Sequence, residues 1–174
     1  MRATASILDL RLVAAHRGLW GGSNPNDAPA NSIRAVQNAA DHGIEMAGVG
    51  LKQMQDSTVI LMHDFNLGRT TNIDNYCRAI TGSEDCPDRP FDSYCGAGFN
   101  PEVKAISWFT LERYQVRLKD YDRIPTSDRP PTLDQLLQAV STSKPIVLLL
   151  DIKDAKTTTD AWQSVNKYKI LMVR

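Results

Sequence analysis

"GIEMAGVGLKQMQDSTVILMHD", residues 43–64, holds two apolar runs that read as strands, with Gly48 and Gly50 inside the first of them. Side chains alternate between the faces of a strand, so positions 48 and 50 point one way while Ala47, Val49 and Leu51 point the other. Glycine packs nothing and loses more backbone entropy on ordering than any other residue. One face of this strand is therefore bare, for one of three reasons: a bulge, the close approach of a ligand, or a site whose side chains are gone.

Outward from this stretch, "RLVAAHR" (11–17), "TVILMHD" (58–64) and "PIVLLLDIK" (145–153) are nearly continuous apolar runs, the pattern of strands covered on both faces. "YKILMVR" (168–174) is a fifth strand candidate. Between them, "NSIRAVQNAADHG" (31–43) and "PTLDQLLQAVSTS" (131–143) carry apolar residues at helical spacing, and "TLERYQVRLKD" and "TTTDAWQSVNKY" do so more weakly. Strands alternating with helices predict an α/β fold with a mainly parallel sheet. Residues 72–107 break the rhythm with turn-formers and read as an insertion on one connection. Its aromatic residues, Tyr76, Phe91, Tyr94 and Phe99, with Trp108 just beyond, can form a lid or pack down onto the body of the fold.

The chain has 174 residues, 42% hydrophobic and 23% charged, which suits one globular domain. Lys+Arg and Asp+Glu balance at 20 each, so no global field favours nucleic acid or an anionic membrane as partner. No apolar run approaches the roughly 20 residues that span a bilayer, so no transmembrane segment is expected. The first residues make a poor secretory signal, which leaves the cytoplasm as the default location. A periplasmic or secreted location follows if a natural precursor carries a signal. Cys77, Cys86 and Cys95 fall in one loop-like stretch; they form one disulfide and a free thiol if the protein is exported, and three thiols if it is not.

Active sites of parallel α/β folds collect at the carboxyl ends of strands. His16-Arg17, His63-Asp64 and Asp151-Ile152-Lys153 stand at three such ends. His42, near a helix end, reads instead as a C-terminal dipole partner. In order and spacing, "AHRG", "PANSIRAVQNAADHGIEM", "LMHDFNLGRTT", "PPTLDQLL" and "LLLDIKD" resemble the glycerophosphodiester phosphodiesterase family. The resemblance implies a TIM-type (β/α) barrel that hydrolyses a small-molecule glycerophosphodiester to an alcohol and glycerol phosphate with Mg²⁺ or Ca²⁺. It also implies His16 and His63 as general acid and base, Arg17 and Lys153 on the substrate, and Asp151 as a metal ligand.

Against the family's signature of HR, E-N, E-x-D and H-D, this sequence departs at three places. Ala30 stands where E-N has its Glu, and Gly48 and Gly50 stand where E-x-D has its two carboxylates. Lewis-acid stabilisation is worth several kcal/mol, so losing the metal costs on the order of a thousandfold in rate. A complete barrel takes about 250 residues. Residues 1–174 are therefore expected to form one incomplete barrel of about the first five strands, with 72–107 inserted and open edges that invite self-association. Three functions follow: an impaired hydrolase, an inactive relative that holds phosphate or phosphodiester through Arg17, Lys153 and the histidines, or a scaffold for an interaction loop.

Overall fold

In the computed structural model, which describes residues 12–21, 28–87, 89–153 and 155–168, the glycine-bearing strand is the hub of the sheet. The stretch 1–11 and the fifth strand candidate beyond Tyr168 lie outside the described residues. The sheet comprises β1 (Ala14–His16), β2 (Met46–Gln53), β3 (Val59–Leu61) and β4 (Val147–Ile152), all paired to β2. β1 and β4 run parallel to it, with His16 beside Gly48 and Asp151 beside Gly50.

β3 departs from the expected parallel arrangement. It runs antiparallel, pairing Leu61 with Leu51 and Val59 with Gln53. The reason is reach: a parallel crossover needs about a dozen residues or more, and only Met54 to Thr58 separate the two strands. That connection closes as a tight turn, with Met54 N–H donating to Thr58 O and Ser57 at φ 68°.

The buried face of β2, Ala47, Val49 and Leu51, packs on three helices. These are α1 (Ile33–Asp41), α4 (Leu133–Ser141) and α5 (Ala155–Lys167). Each starts or turns inward where its sequence dictates. Ser32 caps α1 by accepting from Ala35 N–H, and Thr132 and Gln135 form a reciprocal capping box on α4. α1 buries Ala35, Val36, Ala39 and Ala40, α4 buries Leu133, Leu136 and Leu137, and α5 buries Thr157, Ala161 and Val165. Each such leucine contributes about 1.5–3 kcal/mol by leaving water.

β3 is covered on both faces. Val59 and Leu61 join this first core, while Ile60 and Met62 enter a second with Leu67, Ile73, Val103, Ile106, Leu111, Val116 and Leu118. Residues 72–107 thus supply Ile73, Val103 and Ile106 to this second core, and Ile80 of the short helix α2 (Cys77–Thr81) packs against it. Asp74 holds the segment together: it pairs with Lys119 at 3.5 Å and accepts from Phe91 N–H at 2.8 Å. Cys77 and Cys86 are joined by a disulfide and Cys95 is a free, exposed thiol. Tyr76, Phe99 and Trp108 pack on the second core, and Tyr94 is left 89% exposed.

The helix read over 110–120 is α3 (Trp108–Arg113), capped by Ser107 and stopped by Gln115 at φ 50°. Beyond it Val116 and Leu118 turn into the second core as extended chain.

Candidate functional site

β1 and β3 lie along the same edge of β2, β1 beside residues 46–48 and β3 beside 51–53, and they run toward each other. Their carboxyl ends meet at Gly48 and Gly50. This convergence brings His16 and His63 together, with ring centroids 6.2 Å apart and planes at 79°. On the other edge of β2, β4 sets Asp151 level with Gly50. Residues distant in sequence thus form one rim, although β3 delivers His63 from the direction opposite to that expected.

The backbone around the rim is constrained. Arg17 (φ 64°) and Asn31 (φ 58°) are both left-handed, and Asn31 N–H donates to Arg17 O at 3.0 Å. The Asn31 Oδ1 atom accepts from Gly50 N–H at 2.9 Å, and Met62 N–H donates to Gly50 O at 2.8 Å. Such conformations persist only where surrounding bonds enforce them. Gly18, at φ 81°, lies against Ala35, and a Cβ there would meet its backbone at 2.7 Å.

Each histidine has a different neighbour. Arg17 Nε donates to His16 Nε2 at 3.1 Å, so that nitrogen presents its lone pair. His63 Nδ1 lies 3.1 Å from Asp64 Oδ1. Arg69 grips the same carboxylate with two donors, Nε to Oδ2 at 2.5 Å and Nη2 to Oδ1 at 2.8 Å. Burial pushes the Asp64 carboxyl up, but the bonds from Arg69 and His63 together outweigh it and hold the group below its ordinary value of 3.8.

A carboxylate depressed on folding stabilises the fold above its unfolded value, and the contribution disappears as acid protonates the folded form. Asp64→Asn is therefore expected to lower neutral stability by roughly 1 kcal/mol, after discounting for the exposure of Arg69. The same variant should flatten the loss of stability below about pH 4. Urea titrations from pH 2 to 7 measure both, and parallel acid limbs in variant and parent would refute the assignment.

Asp151 is bonded by Lys153 at 2.8 Å, which lowers its carboxyl, helped by the nearby charges of His63 and Lys52. Lys52 was not singled out in the sequence, yet strand alternation places it on the same face as Gly48 and Gly50. It is only 5% exposed, with its Nζ 3.6 Å from the centre of the Phe65 ring. His42 caps α1, its Nδ1 2.8 Å from Asn38 O, away from this cluster of strand ends. A groove of about 570 Å³ bordered by Ile33, Trp108, Asp128 and Gln135 takes no residue from the rim.

The sequence model of the glycerophosphoryl diester phosphodiesterase family matches residues 16–174. The chain belongs to this family. Among solved structures, a glycerophosphoryl diester phosphodiesterase from Parabacteroides distasonis is 24% identical, with a TM-score of 0.61 over 91% of this chain and 43% of that one. A phosphodiesterase from Oleispira antarctica, in complex with the product sn-glycerol-3-phosphate, is 18% identical with a TM-score of 0.61, covering 91% and 53%. A glycerophosphodiester phosphodiesterase from Agrobacterium tumefaciens is 16% identical with a TM-score of 0.62, covering 92% and 54%. The chain thus spans about half the length of these structures, and its fold is the corresponding part of the barrel. No curated protein matches it.

The family generally depends on a divalent metal. The residues at this rim do not fit one. Among the described residues Ala30, Gly48 and Gly50 offer no side-chain oxygen and the Asp151 carboxylate beside Gly50 is tied to Lys153, whereas hard cations take six or more oxygens. Among the described residues no three of His, Cys, Asp and Glu come together as a metal site.

Proposed function

We propose that this chain binds a glycerophosphodiester at the rim of His16, Arg17, His63, Asp151 and Lys153 without needing Mg²⁺ or Ca²⁺, and that its hydrolysis is impaired. The observation that carries this reading is the pair of imidazoles 6.2 Å apart at the meeting of two strand ends. In the reaction, Arg17 turns from His16 Nε2 to the phosphoryl oxygens, and the lone pair it leaves takes a proton from water. His63, backed by Asp64, returns a proton to the leaving alcohol oxygen. Arg17 and Lys153 contact the non-bridging oxygens. Without Lewis-acid help at positions 30, 48 and 50, the negative charge that builds on those oxygens is met only by side-chain cations.

Glycerophosphocholine binding and hydrolysis, measured with Mg²⁺, with Ca²⁺ and with EDTA, test the reading. Binding is expected to survive chelation, with slow turnover that the cations do not change. His63→Ala should remove that turnover by about 10²–10⁴-fold while leaving binding within a few-fold. Fast turnover abolished by EDTA would overturn the reading. The Cys77–Cys86 bond supports an oxidising compartment over the cytoplasm.

A further inference from the structure

We propose that Lys52 is the buried cation that meets the phosphoryl group in this chain, an internal ammonium acting where a metal-dependent relative uses a bound ion. The inference rests on the metal-free reading above and adds a residue and a charge balance to it.

Three observations carry it. The first is placement. Lys52 shares its face of β2 with Gly48 and Gly50, in the strand whose two edges hold His16, His63 and Asp151. Its charge acts on Asp151, after those of Lys153 and His63. The second is burial. An ammonium kept 5% exposed acts at a lower effective dielectric than a surface lysine, so its attraction for an anion is less screened. The ring of Phe65 over Nζ is itself 70% exposed, and a cation–π contact of about 0.5–2 kcal/mol is weak enough for an anion to replace.

The third is charge count. Among the described residues, Arg17, Lys52, Arg69 and Lys153 set four cations at the rim beside the carboxylates Asp64 and Asp151. Cations gathered in this way favour a phosphate anion over Mg²⁺. The space is available as well: a side chain at Gly48 would find nothing closer than Ala15 O at 3.9 Å. The ligand class is a phosphate ester with one or two negative charges, small enough to stand over that gap.

Calorimetric titration of glycerol 3-phosphate in EDTA tests this on the native chain, Lys52→Met, Lys52→Gln and Lys52→Arg. Met and Gln keep the volume of the buried stem, and thermal melting checks that each variant folds. The expected result is binding by the native chain, at least tenfold weaker binding by the Met and Gln variants, and retention within a few-fold by the Arg variant. Equal affinity in the folded Met or Gln variant and the native chain removes Lys52 from the site and leaves the metal-free reading standing. No binding by the native chain in EDTA, with binding restored by Mg²⁺, overturns that reading and the role of Lys52 with it.

Discussion

Glutamate introduced together at positions 30 and 48 is expected to give this chain Mg²⁺-dependent hydrolysis of glycerophosphocholine, on the order of a thousandfold above the same variant in EDTA. Position 48 accepts a side chain, since the nearest atom to its Cβ is Ala15 O at 3.9 Å. Position 30 directly precedes Asn31, whose amide oxygen holds Gly50 N–H, so a carboxylate there starts beside the same strand. With Asp151 these make three oxygen-bearing side chains. Calorimetry with Mg²⁺ reads the new affinity independently of turnover. A folded variant that neither binds Mg²⁺ nor gains rate would show that these two positions do not limit the chemistry.

Position 50 is expected to behave in the opposite way. A Cβ on Gly50 would lie 2.8 Å from His63 Cα and 2.9 Å from Met62 O, both backbone atoms. Neither can yield alone, because Met62 N–H and Asn31 Oδ1 clamp Gly50 from both sides. Gly50→Ala should therefore destabilise the chain by about 1–3 kcal/mol, as overpacking does. This exceeds the roughly 0.5–1 kcal/mol that alanine recovers in backbone entropy. Gly48→Ala, with no such neighbour, should be neutral or mildly stabilising. Urea denaturation of the two variants side by side decides the matter, and equal midpoints would mean that β3 moves aside without strain. The two glycines thus differ: one leaves a gap, and the other lets the backbone of His63 come close.

Much of this arrangement is legible in the residues alone. Ser32 and Thr132 mark helix starts, the apolar runs mark the strands, and the HR, HD and DIK ends mark the rim. The direction of β3 was also readable, because Met54 to Thr58 is too short for a parallel return, but the apolar pattern of a strand carries no direction. Period two likewise puts Lys52 with Gly48 and Gly50, although a lone lysine in a strand draws no notice until its burial is known. Other features depend on tertiary structure. The grip of Arg69 on Asp64, the bond from Gly50 to Asn31, and the choice of Cys86 over Cys95 as partner of Cys77 each rest on loops whose course no local propensity fixes.

The head-on meeting of β1 and β3 along β2 also orders events in time. The hairpin of β2 and β3 closes a short turn, an event of about 1–10 μs, and it alone brings His63 to Gly50. Asp151 must return across most of the chain to pair with the same glycine, at a far larger loop-closure cost. The His63 corner of the rim is thus local and early, while His16 waits on the crossover through α1 and Asp151 on the longest closure.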